Sequence, residues 1–353
     1  MSIAAVRTHR VSAPLHTPFV TALRRATTAE SLLVEITDSD GRSGFGEAPQ
    51  VWQVTGASMA GSQACVEEML APLLLEQDPD DLAALCRTVA KAVVGNESAK
   101  CAVDVALHDL AARRLGVPLV RLLGGTTLWA PTDMTLSAGE PEELAKTAAR
   151  RVAEGFLVLK LKVGTDAARD VERIRAVCEA AGPGAVVRLD ANQGWTPREA
   201  VRIINQMAGL PIEFVEQPVK RHDLDGLAYV TQKSDIPILA DESVFTVREL
   251  TEVIKRRAAD MVNVKLAKCG GLSTARTMLD LAHEHDMGTC VGSMMETSVG
   301  IGAAASLVAA QHTTHIPDLD AAWWLASSPV KGGPCYERGI VTLADQPGLG
   351  VEL

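Results

Sequence analysis

The sequence predicts an α/β protein in two parts: a small α+β unit, then a closed barrel of parallel strand–helix repeats. Three observations lead there. The chain alternates as strands up to Pro49, turns helical from about Ser58 to Leu123, and after Gly125 repeats strand and amphipathic helix in turn. Residues able to do chemistry recur at the ends of the later strands, 24 to 28 residues apart, one strand–helix unit each. Such residues at every strand end favour a barrel, whose C-terminal rim collects side chains from all strands. A doubly wound sheet gathers ligands at one switch point instead.

In the first part, IAAVRTHRV and SLLVEITDSDGRSGFGEA alternate with period two, and DSDGRS supplies a hairpin turn. AKCAVDVALHDLAARRLG carries alanine and leucine at helical spacing and stops at Gly116-Val117-Pro118. In the second part the strands read LVLKLKVG, AVVRLDAN, IEFVEQP, IPILADES, MVNVKLAK and GTCVGSMMET. Helical stretches such as DAARDVERIRAVCEAAG, TPREAVRIINQMAG, TVRELTEVIKRR and LSTARTMLDLAHEHD separate them.

A length of 353 residues exceeds one ordinary domain, and a 47% hydrophobic share supports a sizeable core. The net charge of −10 argues against nucleic acid or an anionic membrane as partner, since both require a basic surface. MSIAAVRTHRVSAPL lacks the apolar core of a signal peptide, and IGAAASLVAA falls short of a membrane span. The seven cysteines are scattered without CxxC spacing and read as reduced thiols of a cytoplasmic protein.

Asp190, Glu216 and Asp241 end three consecutive strands. On neighbouring barrel strands these carboxylates would converge and repel, which a hard divalent cation resolves; three oxygen ligands suit one Mg²⁺ per chain. Lys162 and Lys265 flank the triplet, one strand before it and one after, and so sit on opposite sides of that centre. In KLK, Lys160 shares a strand face with Lys162. Lys160 is expected to tune its neighbour, because a second positive charge beside it is unfavourable and Lys162 can then serve as a base.

These residues resemble the enolase superfamily, in particular its muconate-lactonizing-enzyme subgroup. The resemblance runs through GFGEAP, AVDVALHDLAARRLGVPLVRLLGG, KLK, LDANQGW, FVEQP, LADES and NVKLAKCGG, nearly the whole chain. It implies a modified (β/α)7β barrel of TIM type over residues 124–322, an α+β capping domain over 1–123, and a last segment, 323–353, that returns to the capping domain. It also implies Mg²⁺ on Asp190, Glu216 and Asp241, and an acid/base pair of Lys162 and Lys265. In such sites a lysine base works beside Mg²⁺ to stabilise an enediolate. Lys268 is the less probable base, since Lys265 shares strand parity with Asn263 and Met261. Barrels of this family often assemble, so a homo-oligomer is expected.

Asp318 and Asp320, in IPDLDAAWW, have strand spacing and would point together into the pocket, where a substrate ammonium would balance them. A D-x-D at this point resembles the dipeptide epimerases, in which it binds the dipeptide α-ammonium. Arg24, beside Arg25 in PFVTALRRATTAES, resembles the loop arginine of the L-Ala-D/L-Glu type, matched to a glutamate side chain. Trp52 on a second capping loop and Trp323 after the aspartate pair are expected to narrow the mouth. Ser293 and Glu296 in GSMMETS, and Thr135 in MTLSAG, are further candidates to touch substrate. The reading is thus a Mg²⁺-dependent epimerase acting on the C-terminal residue of a dipeptide by two-base proton transfer. Its rivals are an N-acylamino acid racemase, an o-succinylbenzoate synthase or a cycloisomerase of the same subgroup, and, outside enzymes, a metal-binding barrel scaffold.

Overall fold

The computed structural model describes residues 1–311 and 313–353. Three antiparallel strands open the chain: β1 (Ile3–Val20), β2 (Arg25–Asp38) and β3 (Ser43–Pro49). The β2–β3 turn closes where Asp38 Oδ1 accepts the N–H groups of Asp40 and Arg42. Period-two alternation sends β2 into two cores at once. Leu32, Val34 and Ile36 join a cluster with Val66, Leu70 and Val89, while Leu33 faces the larger cluster that continues into the barrel.

The helix α1 (Glu97–Leu115) is buried from Ser98 to Ala112, its polar residues Lys100, Asp104, His108 and Asp109 included, so it is packed on every side. It lies close on β3 because Gly44 and Gly46 leave room; a Cβ at Gly46 would collide with the Ala102 carbonyl. Its two aspartates join separate parts of the molecule. Asp109 accepts the N–H groups of Phe45 and Leu349, and Asp104 accepts those of Leu272 and Ser273 where a barrel helix begins. The chain end therefore returns to α1, where Arg113 also donates to the Val351 carbonyl.

The second part is a parallel sheet in strict sequential order: β4 (Met134–Leu136), β5 (Val158–Lys162), β6 (Val186–Asp190), β7 (Ile212–Glu216), β8 (Ile238–Ala240), β9 (Met261–Lys265) and β10 (Gly288–Gly292). Helices α2 (Pro141–Ala153), α3 (Asp170–Ala181), α4 (Pro197–Asn205), α5 (Leu224–Lys233), α6 (Val247–Arg256), α7 (Leu272–His283) and α8 (Ser298–Ala310) follow the successive strands. TPRE and TVRE start α4 and α6 as capping boxes, in which Thr196 and Thr246 exchange hydrogen bonds with Glu199 and Glu249. An eighth extended stretch closes the barrel: Asp318 N–H donates to Val291 O, and Asp133 N–H donates to Pro317 O. Seven strand–helix units and a final strand make the (β/α)7β barrel.

Register places the reactive residues in one row at the strand ends. Lys162 pairs with Asp190, Asp190 with Glu216, Lys265 with Gly292, and Gly292 bridges Asp318. Along β5, Leu159 and Leu161 belong to the apolar cluster, so Lys160 and Lys162 turn to the barrel interior.

Candidate active site

The strand-end row forms one ionic cluster. Lys162 Nζ lies 2.6 Å from Asp190 Oδ2, and Lys265 Nζ lies 2.8 Å from Asp241 Oδ2. Glu216 stands between, its Oε1 accepting from Asn263 Nδ2 and its Oε2 2.7 Å from Lys160 Nζ. Lys160 also reaches Asp318 Oδ2 at 2.7 Å and Asp190 Oδ2 at 3.2 Å. Every member of this group is buried.

Burial opposes ionisation of Asp190 and Asp241, but the surrounding lysines override it: Lys162 and Lys160 hold the Asp190 pKa down, and Lys265 and Lys268 that of Asp241. Glu216 is pushed up instead, by burial and by the charge of Asp190. Lys160 is held charged: burial disfavours its ammonium, yet Asp318, Glu216 and Asp190 raise its pKa well above the ordinary lysine range. Lys160 is thus the counter-cation of three carboxylates, and its repulsion reaches Lys265 on the far side of the row.

Lys268 also turns inward, donating to the carboxylate and backbone carbonyl of Asp241 and to Asn263 O. That leaves Lys265 as the lysine of KLAK facing the cavity, while Lys268 orients a carboxylate from behind.

The cavity above the row has about 550 Å³ of empty space, the open solvent of its mouth included. Lys162, Asp241 and Lys265 form its floor; Thr135, Ser293, Asp318 and Asp320 line one part of the wall. Asp320 is pushed up to about 6 by burial and the nearby Asp318 charge, against the hydrogen bonds it accepts from Thr135 N–H and the Trp324 indole. Across the mouth lies the β1–β2 turn with Thr21, Leu23 and Arg24. Burial lowers the Arg24 pKa to about 10, with no carboxylate among the described residues offsetting it. Arg25 belongs to β2 and is exposed, so only one of the two arginines reaches the cavity.

Three expected positions need correction. Trp52, first residue of the single helical turn Trp52–Thr55, is 65% exposed and borders an outer groove with Arg10 and Met59; Val51, just before that turn, and Val54 within it line the cavity in its place. Trp323 stacks on Arg151, 4.2 Å from its guanidinium, and touches His16, outside the cavity. Glu296 turns back to accept the Met294 N–H, leaving Met294 and Met295 facing the cavity. A periodic strand pattern predicts where a side chain points; these residues sit on loops and a single turn, where no period applies.

Sequence reasoning also missed Asn192 and Glu242, each within two residues of a row carboxylate, in LDAN and LADES. Both line the cavity, joined by an Asn192 Nδ2–Glu242 Oε1 hydrogen bond of 3.2 Å. Asn192 Oδ1 and Glu242 Oε2 are buried without a partner among the described residues. Three carboxylates at the ends of adjoining strands and these unpartnered oxygens, with no sulfur or imidazole among them, offer the oxygen donors a hard cation such as Mg²⁺ takes.

Comparison with known proteins agrees with this architecture from end to end. Residues 3–124 match the model of the mandelate racemase / muconate lactonizing enzyme N-terminal domain, and residues 143–353 that of the enolase C-terminal domain-like family. The chain is 43% identical to the L-Ala-D/L-Glu epimerase of Bacillus subtilis (strain 168), covering 99% of this chain and 97% of that one. It is 37% identical to the hydrophobic dipeptide epimerase of Enterococcus faecalis, covering 99% of each. The crystal structure of the Enterococcus faecalis V583 dipeptide epimerase, complexed with Mg and L-Leu-L-Tyr, superposes with a TM-score of 0.96 over all of both chains at 37% identity.

Proposed function

This chain belongs to the mandelate racemase / muconate lactonizing enzyme family of the enolase superfamily, and we propose that it inverts the C-terminal residue of L-Ala-L-Glu and related acidic dipeptides. The protein is a Mg²⁺-dependent dipeptide epimerase, an isomerase. The preference for an acidic side chain, and the part each residue plays, are the proposal.

Lys162 and Lys265 reach the cavity floor from opposite ends of the carboxylate row. One, as the neutral amine, takes the α-proton from its face of the substrate; the other, as the ammonium, delivers a proton to the opposite face. One proton leaves, one arrives, and the configuration inverts. Asp190, Glu216 and Asp241 would hold the Mg²⁺, which would supply positive charge beside the substrate carboxylate and so acidify the α-proton. Lys160 balances the same carboxylates from beneath. Asp318 and Asp320 receive the substrate ammonium, which sets dipeptide length, and Thr135 and Ser293 border that end.

The observation that carries the acidic preference is Arg24. A partly buried guanidinium without a carboxylate partner among the described residues, lining the same cavity, attracts an anionic side chain. The apolar wall of Phe19, Leu23 and Val54 supports a second reading, a hydrophobic side chain. An Ala-Glu substrate would place the enzyme in cell-wall peptide metabolism, and cysteines that are all free suit the cytoplasm.

Mass spectrometry of L,L-dipeptide libraries incubated with enzyme and Mg²⁺ in deuterated water separates the readings. Labelling concentrated on acidic C-terminal residues is the expected result. Labelling concentrated on aliphatic or aromatic ones would overturn the acidic preference, and exchange confined to N-acylamino acids would overturn the assignment of Asp318 and Asp320.

A further inference from the structure

Trp324 lies outside the cavity, at the end of the short turn Ala321–Trp324 that follows Asp320, and is 4% exposed. Its indole Nε1–H donates to Asp320 Oδ2 at 3.0 Å, and the Thr135 backbone N–H donates to the same oxygen at 2.7 Å. Two fixed donors on Oδ2 stop the carboxylate from rotating. Oδ1 takes no hydrogen bond among the described residues, and Asp320 lines the cavity.

The same indole receives the ring of Phe19 edge-on, with centroids 5.2 Å apart at 89°. Phe19 lines the cavity, and Lys162 Nζ lies 5.7 Å from its ring centroid. Around this pair β1 is fastened to the turn: Ala326 N–H donates to Pro14 O, and Leu15 bridges Leu325. Phe19 is the last residue but one of β1, and the Arg24 turn begins directly after it.

We propose that Trp324 is a positioning residue for the amino terminus of the substrate: its indole N–H locks Asp320 with one oxygen aimed into the cavity, and its ring seats the Phe19 base of the capping turn. The inference rests on Asp320 as the ammonium acceptor. Trp324 itself touches no substrate; it acts through Asp320 and Phe19. Tryptophan meets both demands, since phenylalanine or leucine offers no donor.

The test uses L-Ala-L-Glu and its des-amino analogue N-propionyl-L-glutamate, with the wild-type enzyme and Trp324→Phe, which keeps an aromatic face and loses the N–H. Wild type should show the lower KM for the dipeptide. Trp324→Phe should raise the dipeptide KM about tenfold, the size of one lost hydrogen bond to a charged group, with kcat within about twofold and the analogue unaffected. Equal wild-type KM values for the two compounds would overturn the ammonium role of Asp320 and this inference with it. A clear wild-type difference combined with an unchanged dipeptide KM, or equal weakening of both compounds, would overturn the role of Trp324 alone. Should Trp324→Phe not fold, ¹⁵N-indole spectra of the wild type decide. One of the five tryptophan N–H signals should move with L-Ala-L-Glu and stay with the analogue; equal movement with both, or none, overturns the inference.

Discussion

Replacing Arg24 with glutamine removes the guanidinium that the β1–β2 turn presents to the cavity while keeping much of the length and polarity of the side chain. Burial lowers its pKa to about 10, a loss of hydration worth about 2 to 3 kcal/mol once partial exposure is allowed for. No carboxylate among the described residues recovers that loss, whereas the side chain of a C-terminal glutamate could do so through paired N–H···O bonds. Arg24→Gln should therefore lower kcat/KM for L-Ala-L-Glu by about 30- to 150-fold. The loss should lie mainly in KM, because the contact is remote from the α-carbon and equal in ground and transition states. L-Ala-L-Leu has nothing to lose, and its kcat/KM should hold or rise. Polarimetry or deuterium incorporation at varied substrate concentration gives both constants. Equal loss on the two dipeptides would mean that Arg24 supports the turn rather than reads the side chain. No loss on L-Ala-L-Glu would remove the acidic preference altogether.

Three further outcomes follow from the same geometry. Asp320, pushed up to about 6 by burial and Asp318, must be ionised to receive an ammonium, so kcat/KM should fall about a further tenfold per unit below that pH; Asp320→Asn should be slow and lack that added fall. Lys268→Met removes the donor behind Asp241 and should weaken Mg²⁺ binding by about 10- to 100-fold, measured by calorimetry, with the metal-free protein still melting cooperatively. Gly46→Ala drives a methyl group into the Ala102 carbonyl and should cost about 3 kcal/mol or more, seen as a lower urea midpoint, whereas the same change at the open Gly95 should have no comparable steric effect.

Residues at the ends of periodic strands were legible before any coordinates. KLK, LDAN, FVEQ, LADE and NVKLAK each pair an apolar alternation with one polar terminus, and barrel register turns that one-dimensional spacing into a row. Asp104 and Asp109 show where legibility ends. Both sit mid-helix in AVDVALHDL, a pattern that reveals a buried helix but not the backbone N–H groups of Leu272, Phe45 and Leu349 that they meet, since those partners are distant in sequence. Trp52 and Trp323 mark a second limit, because a side chain on a single helical turn points where tertiary packing sends it. Glu242 and Asn192 were visible as letters beside the carboxylates, yet only the tight turns there bring them into the cavity; Asn192 adopts a φ of 41°. Lys160 was conspicuous, but three carboxylates set its state more than its neighbour does.

The two-base assignment is tested most directly by separating proton exchange from inversion. Lys162→Ala and Lys265→Ala are each incubated with Mg²⁺ and either L-Ala-L-Glu or L-Ala-D-Glu in deuterated water, and the α-proton is followed by NMR. Each variant should fail to epimerise yet exchange the α-proton of one epimer only, the one facing its remaining lysine, with opposite choices for the two variants. Epimerisation by either variant at a rate near that of the wild type, or both variants exchanging the same epimer, would contradict it.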